Sequence, residues 1–153
     1  MWRNRLAFFT LTSAGTQTIS DNTGNFSDSS RILLQNAFIG GGAAGRVSHD
    51  SASNTLRITG KFIASLTATA KITAAGSNRL FNIRYGNSPN QNNGSISRVG
   101  GVNTVDATAR QYVAVGTHSS ESGSTYLAPH LTTYATGANS IAEASLSGFI
   151  LFD

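Results

Sequence analysis

The residues of this chain that could do chemistry are three histidines, seven acids and a surplus of hydroxyls, and their spacing argues against most reactions. His49-Asp50 and His118 with Glu121 bring imidazole near carboxylate, but neither has the spacing of a zinc site or a facial triad. There is no Cys, so cysteine-ligated zinc, iron–sulfur clusters and disulfides are excluded. Twenty Ser would let a Ser–His–Asp triad be drawn on paper, yet no Gly-x-Ser-x-Gly elbow is present. Gly40-Gly41-Gly42-Ala43-Ala44-Gly45-Arg46-Val47 approaches a phosphate-binding loop and fails where it matters. Arg46 stands in place of the lysine, and Val47 in place of the magnesium-holding hydroxyl. It reads as a flexible turn. The few acids offer no pair poised for glycoside hydrolysis. The expectation is a protein with no catalytic residue, no metal ligand and no cofactor.

Aromatic residues suggest recognition instead. Tyr112, Tyr126 and Tyr134 fall in the loop-rich C-terminal third, together with His118 and His130. Amphipathic rings among polar loops can make a sugar-binding face, or they can pack the interior or a subunit contact. Trp2, Arg3 and Arg5 put one aromatic and two guanidiniums at the N-terminus, a combination suited to anchoring on another protein.

The elements that position these residues follow from composition and periodicity. A chain of 153 residues is one domain. Only 12% of residues are charged, about half the usual share; 20 Ser, 17 Thr and 13 Asn supply the polarity. The net charge of +4 is scattered rather than gathered into a basic stripe, which disfavours nucleic acid as a partner. No apolar run approaches the roughly 18 residues of a membrane-spanning helix. The apolar segment Leu6–Leu11 is too short for a secretory signal core. Residues 1–6 are therefore expected as an N-terminal arm and residues 7–153 as the domain.

From Thr55 to Ile72 apolar and polar residues alternate, with Ile63 as the exception and Gly60 as a bend. Further strands are expected over Ala7–Ile19, Arg31–Ile39, Arg79–Tyr85, Ile96–Val105, Gln111–Gly116 and Tyr126–Tyr134. Pro129 would place the last of these at an edge or bulge. Gly86–Gly94 and Thr117–Thr125 read as polar loops. With no amphipathic helix, the pattern predicts an all-β, single-domain jelly-roll sandwich of about eight to ten antiparallel strands. The final segment, Ala144–Phe152, alternates up to Gly148 and is then apolar on both faces. Such a strand is covered on both sides, and in a small domain the economical cover is a second copy of the chain.

Ser145-Leu146-Ser147-Gly148-Phe149-Ile150-Leu151 resembles the closing strand of the tumour-necrosis-factor-like superfamily, especially the globular heads of complement-type collagenous proteins. Ile58-Thr59-Gly60-Lys61-Phe62-Ile63-Ala64-Ser65 is similar to that family's Gly-x-Tyr/Phe strand. The resemblance implies a homotrimer whose terminal strands meet at the three-fold axis, with Phe149, Leu151, Phe9 and Leu11 at the trimer interface. Similar jelly rolls occur as bacteriophage head-decoration proteins, head fibres and tail-fibre tips. The charge-poor composition, the absence of Cys and the start at Met without collagen stalk or anchor favour that setting. The expected function is a non-enzymatic virion structural protein. In that reading it is a capsid decoration or head-fibre protein on the capsid surface, made in the host cytoplasm. It docks on the major capsid protein or another virion protein through an arm of Trp2, Arg3 and Arg5. The alternatives are a receptor- or glycan-binding tail-fibre tip and a small viral capsid protein.

Overall fold

The computed structural model describes residues 2–20, 31–76, 79–88, 97–104, 108–133 and 137–153. Its strands, in chain order, are β1 (Leu6–Thr12), β2 (Gln17–Ile19), β3 (Asn36–Gly40), β4 (Val47–Asp50), β5 (Thr55–Thr59) and β6 (Phe62–Thr73). They continue as β7 (Arg79–Gly86), β8 (Ser97–Thr104), β9 (Arg110–Ser120), β10 (Ser124–Thr133) and β11 (Asn139–Phe152). Every pairing is antiparallel. One sheet runs β3-β1-β11-β6-β9, with β2 pairing the start of β11; the other runs β4-β5-β10-β7-β8.

The alternation of Thr55–Ile72 becomes two strands in different sheets. β5 belongs to the second sheet and β6 to the first. Gly60 makes the corner with a φ of 100°, a left-handed geometry that glycine adopts without steric cost. Leu56 and Ile58 before the corner, and Phe62, Ala64, Leu66, Ala68, Ala70 and Ile72 after it, all face the core. They meet Phe9 and Leu11 of β1, Phe81 and Ile83 of β7, Leu127 and Leu131 of β10, and Leu146, Ile150 and Phe152 of β11.

β11 changes parity within its length. Asn139 and Ile141 point inward, then a bulge between Ile141 and Glu143 shifts the inward set to Ala144, Leu146, Ile150 and Phe152. One inserted residue reverses which side chains face the core. At the inward position 148, a Cβ would lie 2.2 Å from the Ser65 carbonyl oxygen and 3.2 Å from the Phe9 ring. Gly148 thus leaves room for Phe9 beneath the sheet.

Three predicted features differ. Thr117–Thr125 is largely strand, and only residues 121–123 turn between β9 and β10. Pro129 sits in β10, between β5 and β7 in strand order. It escapes the usual penalty because β5 pairs β10 only through Leu127. Beyond that point the flank is met by a lone bridge, Arg31 to His130, and by the Ile32 amide donating to the Pro129 carbonyl at 2.9 Å. The glycine segment after β3 is an ordered corner rather than a loose turn: the Ala43 amide donates to the Leu6 carbonyl at 3.1 Å. The predicted Gly86–Gly94 loop lies beyond the described residues after Ser88.

Polar residues are buried against the second sheet. Arg84 donates to the Asn82 side chain, and the Asn82 amide donates to the Leu80 carbonyl at 3.1 Å. Asn139 joins distant elements by accepting from Arg79 Nε at 3.0 Å and donating to the Ile19 carbonyl at 3.1 Å. Burial, with Arg31 and Arg84 adding repulsion, pushes the His130 imidazole down to about 3.

Two outcomes follow from this interior. Leu66→Ala should lower the unfolding free energy by about 2–5 kcal/mol in denaturant titrations, because it empties a fully buried site. His130 binds its proton more weakly when folded than the ordinary value of 6.5 for an unfolded histidine. Its contribution is therefore fully present above that value and is lost as pH falls toward about 3. Denaturation at about pH 7 and about pH 4.5 should show weaker folding at the lower pH, and His130→Gln should reduce the difference.

Candidate functional site

The side of the first sheet that faces away from the core follows from strand register. Phe8 stands opposite Phe149, Phe149 opposite Ser65, and Ser65 opposite Thr117. One row toward the chain ends lie Leu6, Leu151, Ile63 and Ser119. On the other side come Phe38, Thr10, Ser147, Thr67 and Val115, then Thr12, Ser145, Thr69 and Val113. Asn36 of β3 stands beside Thr12, and these rows contain no charged side chain.

The large apolar members are open to solvent: Phe38 at 62%, Ile63 and Phe149 at 63%, and Val115 at 64%. Leu6, Phe8 and Val113 are exposed too, so seven of the eight exposed large hydrophobic residues among those described lie on this face. The Phe8 and Phe38 rings are 6.0 Å apart. A shallow groove of about 340 Å³ crosses the middle, lined by Phe8 and Phe149 and by the hydroxyls of Thr10, Ser65, Thr67 and Ser147. Thr69 and Ser145 hydroxyls bond to each other at 2.6 Å.

Charges gather at the ends. Lys61 Nζ lies 3.0 Å from Asp153 and 3.2 Å from Glu121, and Arg5 reaches Asp153 at 3.2 Å. Asp153 and Glu121 raise the Lys61 pKa, and Lys61 in turn lowers that of Asp153. At the opposite end Glu143 stands opposite Lys71.

The expected interface residues divide. Phe149 is exposed and Leu151 half-buried on the outward face. Phe9 and Leu11 are 2% and 0% exposed, so they belong to the core of this chain rather than to the exposed apolar face. The outward residues of β1 are Leu6 and Phe8, one position out of phase with the expectation. Residues absent from that expectation are Leu6, Phe8, Phe38, Ile63, Val113 and Val115. Ile63 left a signal as the break in alternation. β3 and β9 gave none, because no pattern in those segments says which face is covered.

The N-terminal residues are not a free arm throughout. Trp2–Asn4 form a short 3-10 turn with Arg3 exposed. Arg5 is fastened to the domain: its Nε donates to the Phe152 carbonyl at 2.8 Å, and its carbonyl accepts from the Phe152 amide at 2.8 Å. Strand β1 already begins at Leu6.

The tyrosines and histidines for which a sugar-binding face is the alternative to packing are scattered. Tyr112 packs on the core, and Tyr126 lies beneath the Arg57 guanidinium at 5.9 Å. His130 is buried at the second sheet, and Tyr134 lies outside the described residues. His118 instead meets Tyr85. The nearby acids are engaged elsewhere: Glu121 pairs Lys61, and Asp50 accepts from the Ala52 and Ser53 amides. Arg46 lies over the Phe152 ring at 4.1 Å and donates to the Thr59 carbonyl, a packing role. Among the described residues, no three His, Asp or Glu side chains are grouped to hold a metal ion.

No protein-family model matches the chain, and no curated protein does. Solved structures do. Eiger TNF from S. frugiperda superposes with a TM-score of 0.58 at 10% identity, over 97% of this chain and 92% of that one. Murine APRIL gives 0.59 at 8% identity, covering 97% and 100%. The globular domain of zebrafish complement 1qA gives 0.52 at 9% identity, covering 97% and 98%. A likeness along 97% of the chain at 8–10% identity is one of fold alone, and it shows that the chain folds as a jelly roll of the kind seen in these tumour-necrosis-factor-like structures.

Proposed function

We propose that the protein is a non-enzymatic structural module. It assembles as a homotrimer through the outward face of its first sheet and serves on the surface of a bacteriophage particle, as capsid decoration or head fibre. The observation that carries the assembly reading is the charge-free face built around Phe8, Phe38, Ile63, Val115 and Phe149. An exposed apolar surface spanning the strands of a sheet costs free energy in water, and its burial against other copies recovers that cost. Charges lie only at the ends of the face, as charged groups lie at the rim of a protein–protein contact.

The particle role is supported by the sequence: few charges, abundant Ser, Thr and Asn, and no Cys. Docking falls to Trp2–Asn4, because Arg5 is already committed to Phe152 and Asp153.

Native mass spectrometry should give three times 16.0 kDa, persisting on dilution. A monomer would overturn the assembly reading. Phe149→Arg should yield a monomer with unchanged circular dichroism, since that side chain is 63% exposed within one chain. Phe9→Arg should instead abolish folding, because it buries an unpaired charge in the core. The particle reading is checked by cosedimentation with virions of the source phage. Trimer should pellet with the particles, and protein lacking residues 1–4 should stay in the supernatant while remaining trimeric. Recovery of neither form with virions would sink it.

A further inference from the structure

Where β9 turns into β10, the sandwich holds a pocket of about 380 Å³ between the two sheets. Its lining includes Tyr85 at the end of β7, His118 in β9, Asn87, and the hydroxyls of Ser120, Ser122 and Ser124. No charged side chain lines it.

The ring pair is held from behind. Tyr85 and His118 meet at a tilt of 36° with centroids 3.8 Å apart, and Phe62 meets His118 edge-on at 5.8 Å. This row fixes Tyr85 before any ligand arrives, which reduces the ordering cost of binding. Burial lowers the His118 pKa, so the imidazole is neutral at pH 7 and offers one donor and one acceptor. The hydroxyls are directed as well. Ser124 Oγ accepts from the Arg57 guanidinium at 3.3 Å, leaving its O–H to donate. Ser120 donates to the Ser122 carbonyl at 3.1 Å, leaving its oxygen to accept.

We infer that this pocket binds a neutral carbohydrate, with one pyranose packing its C–H face on Tyr85 and its hydroxyls bonded to the serines and His118. Apolar ring plus convergent neutral donors and acceptors is the complement of a sugar. A phosphate or carboxylate ligand would find no cation in the lining. A lipid would meet too many hydroxyls. The inference uses none of the outward-face residues Phe8, Phe38 and Phe149, so it does not depend on trimer formation.

The test is a titration of the isotope-labelled protein, followed by amide NMR. The probes are methyl glucoside, methyl galactoside, N-acetylglucosamine and, as a charged control, N-acetylneuraminic acid. At least one neutral sugar should shift residues 85–87 and 118–125 saturably, with a Kd of about 1 mM or below. Ser122→Trp, placed in an exposed turn to fill the pocket, should weaken that response at least about tenfold without changing the native mass. Tyr85→Leu keeps an apolar side chain while removing the ring, and should weaken it similarly. No saturable shift up to about 50 mM, an undiminished response in both variants, or a response to the acidic sugar alone would overturn the inference. The native mass measured on the same samples reports on trimer formation separately.

Discussion

A strand shows alternate side chains to opposite faces, and β11 is apolar on both from Phe149 onward. It lies between β1 and β6 in the middle of the first sheet, so neither face can be hidden by an edge. Ile150 and Phe152 close the core, while Phe149 and Leu151 are directed away from it. The bulge after Ile141 sets this phase. Without that inserted residue, Leu146 and Ile150 would turn outward and the sandwich would lose the middle of its packing. Gly148 accepts the consequence by leaving space for Phe9 between β11 and the layer below.

The second sheet is arranged differently. Asn82 and Arg84 of β7 and His130 of β10 are buried at its side away from the apolar core, and Arg31 reaches the Ser53 carbonyl at 2.6 Å. Polar groups held this way must keep their partners, because an unpaired buried group costs more than a paired one returns. The side of the molecule with the second sheet is thus closed by polar contacts within the chain. Among the described residues, the first sheet presents an apolar face on which Phe38, Ile63, Val115 and Phe149 stay open to solvent. The proposed assembly therefore uses the first sheet and not the second.

Much of the fold is legible in the residue pattern. Thr55–Ile72 announces its inward face and its corner at Gly60, and the last strand announces its two apolar sides. What pattern cannot supply is which face of an ambiguous strand is covered. Ala7-Phe8-Phe9-Thr10-Leu11 carries a phenylalanine in each phase. Only the register of β1 against β11, pairing Phe8 with Phe149 and Phe9 with Gly148, assigns Phe9 to the core. A slip of one residue exchanges the faces, which is why Phe9 and Leu11 read as contact residues from sequence. The pairing of Tyr85 with His118 was equally hidden. The two stand 33 positions apart in sequence, in different sheets, and nothing local to either suggests the other.

The charges at the two ends of the outward face complete the argument about assembly. Exposed ion pairs such as Lys61 with Asp153 contribute little stability, commonly under about 1 kcal/mol. Their placement matters more than their strength. Arg5, Lys61, Glu121 and Asp153 sit at one end, and Lys71 opposite Glu143 sits at the other, with no charged group in the rows between. An apolar face alone tolerates sliding, because burial is not directional. Charges at its ends penalise a displaced copy that would bring like charges together, and so select one register. In the proposed assembly, affinity would come from Phe8, Phe38, Ile63, Val115 and Phe149, and orientation from the ends. The serines and threonines between them let backbones approach closely without leaving a charge to desolvate.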